Sequence, residues 1–221
     1  MTGRALHWVY VWEFPVRLFH TATVICIATL AVTGLIMGRA WSLADAPEAW
    51  ESFWFGWVRF LHFSAAYLLV FSVVFRLYWA FVGNRFSRWR EFLPVKADQW
   101  RQVWSALRVY LWLSPWPREG AAGHNPLQGI AYLGVVLLML FQAVTGFGLY
   151  GAMSDGWLPA WFRWVSPLFG GDMLLRQWHH LAMWAFIVFL ILHVYLVALN
   201  ESKEHQGLYR SIVTGWKRLS S

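Results

Sequence analysis

The chain has 221 residues, 59% of them hydrophobic, 19% aromatic and only 13% charged, with a formal net charge of +7 and eighteen tryptophans. A soluble domain carries roughly twice that charged fraction, which excludes a water-soluble globular protein, and the excess of basic residues reads as membrane topology rather than a nucleic-acid surface. The single cysteine, Cys26, lies in an apolar run and excludes an internal disulfide, an iron–sulfur cluster held by this chain alone and c-type haem attachment.

In chain order, a polar-aromatic lead over residues 1–17 places Pro15 just ahead of the first helix, where proline is tolerated. Helix one spans about 18–37, with His20 near its start and Gly34 near its end. The segment is too long for a cleavable signal. Residues 39–57 form a loop with Asp45, Glu48, Glu51 and several tryptophans. Helix two spans about 58–82 and carries Arg59, His62 and Arg76. In the long loop of residues 83–128, Trp100, Val103, Trp104, Leu107 and Leu111 recur at helical spacing opposite Arg101 and Arg108, which predicts a helix on the membrane surface. Helix three, about 130–150, has no histidine but contains Gly134, Gly146 and Gly148. A tryptophan-rich loop broken by Pro159 and Pro167 leads to helix four, about 179–199, and residues 200–221 form a polar, basic tail. The fold class is all-α: an integral membrane four-helix bundle with interfacial helices, in one domain over residues 1–221. The lead, the long loop and the tail hold thirteen of the lysines and arginines, against four on the other side (Arg39, Arg59, Arg163, Arg176), so both termini are expected in the cytoplasm.

Helix four sets the chemistry. From His179 to His193 is 14 residues, which returns to within about 40° of the same face and about 21 Å along the axis. Starting from His180, the rings would point about 140° apart. One face therefore offers an imidazole near each side of a membrane. By depth, His20 pairs with His193 and His62 with His179. Paired imidazoles are the axial set of a six-coordinate electron-transfer haem b. Helix-packing or headgroup histidines are the ordinary alternative for any one of them. Four paired by depth on three helices argue for function. A metal transporter would want carboxylates within the spans, and there are none. Arg17 and Arg59 each precede a proposed ligand by three residues, placed to pair with haem propionates or simply to anchor at headgroups. Gly34 lies 14 residues after His20 and Arg76 14 after His62. A bare glycine there admits a flat macrocycle, or close helix packing.

The stretches Pro15–His20, Val32-Thr33-Gly34, Arg59–Phe63, Arg76–Arg85, Gly123–Pro126, Thr145-Gly146-Phe147, Trp178–Trp184 and His193-Val194-Tyr195 resemble the cytochrome b subunit of membrane-bound nickel–iron hydrogenases, in order and over nearly the whole chain. The runs Arg76–Arg85 and Trp178–Trp184 are the specific ones. One departure is Thr21, where a tryptophan usually follows the first ligand. The resemblance puts the ligand histidines at His20, His62, His179 and His193. It implies two haem b, a bacterial cytoplasmic (inner) membrane location, and partners in the hydrogenase small (iron–sulfur) and large (nickel–iron) subunits. Electrons would pass from the small subunit through the haems to quinone, with no hydrogen-activating site on this chain. The outer loops, with Trp50, Trp54, Trp157 and Trp161, would meet the hydrogenase. Quinone is expected on the cytoplasmic side near Arg76, the surface helix and His124, which serves as a proton relay or merely caps helix three. Alternatives are the cytochrome b subunit of a formate dehydrogenase or thiosulfate reductase, a stand-alone small cytochrome b, and a structural anchor without electron transfer.

Overall fold

The computed structural model describes residues 6–39, 53–92, 97–116 and 126–220. The acidic stretch around Asp45, Glu48, Trp50 and Glu51, and also His124, lie outside them. The elements are β1 (Leu6–Tyr10), α1 (Phe14–Arg39), α2 (Trp54–Val82), α3 (Ala97–Tyr110), α4 (Pro126–Gly151), α5 (Trp157–Ala160), α6 (Val165–Leu168), α7 (Asp172–Glu204), α8 (Leu208–Thr214) and β2 (Trp216–Ser220), with a 3-10 turn at Trp89–Glu91.

Four of these helices, α1, α2, α4 and α7, are long and apolar enough to cross a membrane, at 25 to 33 residues each. The fold is an all-α four-helix membrane bundle. Its apolar side chains point outward as well as inward: Ile25, Phe71, Val74, Ile191 and Leu192 are all more than half exposed. That inverts the rule for soluble proteins and suits a lipid solvent. The helices outrun the apolar windows by one to two turns. The intrahelical ladder does not stop where hydrocarbon ends, and Asp172 in the first turn of α7 complements the positive end of the helix dipole. The expected surface helix is α3, an amphipathic helix with no buried residue. The proline-broken loop before α7 contains two single-turn helices, α5 and α6.

The chain divides into two compact units, residues 1–21, 74–136 and 190–221 in the first, and residues 22–73 and 137–189 in the second. Each takes a segment from all four spans. In the first unit the chain ends pair as an antiparallel ribbon, from Leu6 opposite Ser220 to Tyr10 opposite Trp216. The sequence pattern predicts only a polar lead and tail there. The ribbon closes at Gly215, whose φ of 89° and close approach to Tyr10 and the Trp12 carbonyl leave no room for a Cβ. One Oε2 of Glu13 accepts from Trp79 Nε1 at 2.9 Å and from the Asn84 amide at 2.8 Å. Asn84 in turn donates to the Val11 carbonyl at 3.0 Å, so the start of α1 is tied to the end of α2. In the second unit Cys26, Ala65, Leu69, Phe147, Met183 and Phe186 are buried together with Val165 and Leu175. Phe63 stacks on Tyr150 with centroids 4.5 Å apart.

Candidate functional site

Helices α2 and α7 bring His62 and His179 into the second unit, where Gly34 faces both the His62 ring and Met183, one turn beyond His179 on α7. Each ring is met from another helix. On α1, Thr33 Oγ1 lies 2.8 Å from His62 Nδ1 and donates to the Thr29 carbonyl at 2.6 Å. On α4, Thr145 Oγ1 lies 2.8 Å from His179 Nδ1 and donates to the Phe141 carbonyl at 2.8 Å. Both threonines are buried, at 6% and 0% exposure. The next residue is glycine in both cases. A Cβ on Gly34 would stand 3.5 Å from His62 Cε1, and one on Gly146 would stand 3.2 Å from His179 Cε1. The expectation for Gly34 concerned a macrocycle at the depth of this pair; the structure sets it against the His62 ring and Met183 Sδ.

In the first unit α1 and α7 bring His20 and His193 together, with ring centroids 6.5 Å apart and planes tilted by 45°. The remaining candidates are placed as follows. Arg17 donates to the Val213 carbonyl and lies over the Phe14 ring. Arg59 is exposed and reaches Met153 Sδ at 3.6 Å. Arg76 is only 4% exposed, donates to the Ser87 carbonyl at 3.1 Å, and stands 5.2 Å and 5.3 Å from the rings of Phe92 and Tyr132. A cation on stacked aromatic faces is a stable way to hold charge in an apolar setting. His180 does not join His179: it lies against Gly38 and edge-on to Trp184.

Sequence reasoning missed Thr33 and Thr145 as partners of the histidines. The only signal was that each begins a Thr-Gly pair, which is common in apolar helices. It also missed Glu13 and Asn84, whose partners lie 66 to 73 residues away.

Comparison with known proteins bears on this constellation. The family model described as "Prokaryotic cytochrome b561" matches residues 11–215. The chain belongs to that family. It is 40% identical to a protein of Azotobacter vinelandii named "Probable Ni/Fe-hydrogenase B-type cytochrome subunit", over 95% of this chain and 88% of the relative. A Cupriavidus necator protein of the same name is 38% identical over 98% of this chain and 89% of its own length. The Escherichia coli K12 protein named "Probable Ni/Fe-hydrogenase 1 B-type cytochrome subunit" is 37% identical over 94% and 90%.

A b-type cytochrome of this family carries haem b, and the residues present fit it. Metal–imidazole bonds of about 2 Å on either side of one iron put the two ring centres roughly 6 Å apart, and His20 and His193 stand at 6.5 Å. Among the described residues no cluster of three or more His, Cys, Asp or Glu is present. The imidazoles come in pairs, which is the donor set for a macrocycle that supplies its own equatorial nitrogens. Glycines beside His62 and His179 keep one edge of each ring clear.

Proposed function

We propose that this cytochrome b561-family chain is the membrane electron-transfer subunit of a nickel–iron hydrogenase, holding one haem b between His20 and His193 and a second between His62 and His179. The observation that carries the reading is the arrangement of the four imidazoles as two pairs within apolar spans, one pair with centroids 6.5 Å apart and the other held by matching threonine contacts at 2.8 Å. Haem b held by these imidazoles would supply one-electron iron chemistry. The chain's own part is to orient four neutral imidazoles and to exclude water around them. The relatives' names point to hydrogenase as the partner complex. In that reading the subunit takes electrons from the cluster-bearing small subunit on the outer side. It delivers them to quinone on the cytoplasmic side of a bacterial inner membrane, where both termini lie. The basic lead, long loop and tail support that orientation.

The surroundings of Arg76 support a quinone site on the same side. A quinone needs an apolar slot with a few hydrogen-bond donors, and Arg76, Phe92 and Tyr132 offer a buried guanidinium beside two stacked aromatic rings. His124 would serve as a proton relay, and Arg17 and Arg59 would pair with haem propionates. The test is haem counted per chain in the purified protein, with reduced-minus-oxidised spectra. Two b haems are expected, one lost in both His20→Ala and His193→Ala and the other in both His62→Ala and His179→Ala. A haem count unchanged in these variants, or hydrogenase subunits absent from the purified complex, would overturn the assignment.

A further inference from the structure

The Thr-Gly pairs on α1 and α4 meet their histidines in the same way. A hydroxyl has one proton and two lone pairs, and a carbonyl only accepts. Thr33 Oγ1 is 2.6 Å from the Thr29 carbonyl, and Thr145 Oγ1 is 2.8 Å from the Phe141 carbonyl. In both cases the threonine's proton is committed one turn back along its own helix. Its oxygen therefore faces the imidazole as an acceptor, and the ring nitrogen 2.8 Å away, Nδ1, carries the proton. A neutral imidazole protonated at Nδ1 keeps its lone pair on Nε2.

Back-bonding of a threonine to the preceding turn is ordinary in apolar helices and by itself signifies nothing. Here the same hydroxyl makes a second contact, to a histidine 29 residues away in one case and 34 in the other. The following glycine stands beside Cε1 of that same ring. The arrangement occurs on two helices and serves two histidines of one pair.

We propose that Thr33 and Thr145 are positioning residues that hold His62 and His179 with Nε2 as the ligating atom and thereby set the potential of the haem those histidines bind. The proposal rests on the assignment of His62 and His179 as axial ligands. A hydrogen-bonded Nδ1–H raises the basicity of the ligating nitrogen and favours the ferric state. With both hydroxyls buried, no water replaces a lost acceptor, and the ring is left to turn or to change tautomer.

The experiment is a redox titration with low-temperature electron paramagnetic resonance on the purified complex. Its variants are Thr33→Val, Thr145→Val and the two Thr→Ser replacements. Thr23→Val is the control, since the buried Thr23 hydroxyl has no partner among the described residues. Each valine variant should shift the redox equilibrium of one and the same haem toward ferrous by roughly three- to tenfold, tenfold being about 59 mV for one electron. It should also alter that haem's ferric spectrum and weaken its retention by about 10- to 100-fold. The serine variants and Thr23→Val should match the unmodified protein. Should valine crowd the ring, Thr33→Ala and Thr145→Ala give the same reading without the added methyl. Unmoved potentials and spectra in assembled valine or alanine variants would overturn the proposal, as would serine variants that shift as far as valine. Retention of every haem in His62→Ala and His179→Ala would instead overturn the ligand assignment beneath it.

Discussion

The two histidine pairs are built differently. His62 and His179 each rest on a threonine hydroxyl and a glycine from a further helix, inside apolar spans. His20 and His193 face one another across 6.5 Å, in the unit that also ties Glu13 to Trp79 and Asn84, Arg76 to Ser87, and the two chain ends to each other. One site is defined by a few atoms on transmembrane helices, the other lies in a unit knitted together by the chain ends. Damage to the first should therefore be local and read at the haem, and damage to the second should spread into quinone access and local stability.

The largest effect expected lies within helix α7. His179→Ala should remove a whole haem, whereas His180→Arg should leave the count unchanged. The two rings have different neighbours, Thr145 and Gly146 for His179 against Gly38 and Trp184 for His180. Haem per chain by the pyridine haemochrome assay decides it, and loss of haem in the His180 variant alone would exchange their roles.

Arg76 tests the other region. Arg76→Leu removes a guanidinium that binds the Ser87 carbonyl and stands against Phe92 and Tyr132. A hydrogen bond from that guanidinium to a quinone carbonyl would be worth about 1.5–3 kcal/mol, so quinone reduction should slow by about tenfold or more while hydrogen-driven haem reduction persists. His124→Ala should slow the same step. Unchanged quinone turnover in both would move the quinone site elsewhere.

A smaller, graded effect should come from three glycines. A Cβ on Gly146 would press on His179 Cε1 at 3.2 Å, one on Gly34 would meet His62 Cε1 at an ordinary 3.5 Å, and one on Gly134 would meet nothing within 4 Å. Gly146→Ala should therefore disturb haem retention most, by about 1 kcal/mol of overpacking. Gly34→Ala should do so less, and Gly134→Ala should be neutral or slightly stabilising through helix propensity. Retention measured during detergent dialysis gives the ranking, and a Gly134 effect as large as that of Gly146 would break it.

What was legible in the sequence follows from the range of the physics. Spans were legible because a run of about 20 apolar residues is a local property, and the four long helices stand where those runs are. The histidine register was legible because 3.6 residues per turn fixes the face on which His179 and His193 project. The ends of the helices were not, since Asp172 and Glu204 continue α7 beyond the apolar window. Contacts such as Thr33 with His62 or Tyr10 with Trp216 depend on how separate helices and strands are juxtaposed, and a hydroxyl in an apolar helix carries no mark of its partner. The strand pair was invisible for a further reason: each strand is five residues long and its partner lies at the other end of the chain.

The smallest effect, and one that only the terminal region should show, is a dependence on pH. Lys217 is 5% exposed and lies over the Trp12 ring. Burial pushes its ammonium down from the usual 10.5 to about 8, with Glu204 and Glu201 nearby offsetting part of the shift. The lowered value means that the open state binds more protons than the packed state between about pH 8 and 10.5. The packing should thus strengthen as pH rises through that window and be weaker, and constant, below it. Between about pH 7 and 8.7 the gain is about 1 kcal/mol. Hydrogen exchange of the β1 and β2 amides, corrected for the intrinsic rate at each pH, should show protection rising about fivefold over that interval. In Lys217→Met the rise should vanish, with protection at pH 7 at or above that of the unmodified protein. Equal pH profiles in the two proteins would assign the dependence to another group, whereas a rise confined to the unmodified chain would identify the buried lysine as the weakest joint of the paired termini.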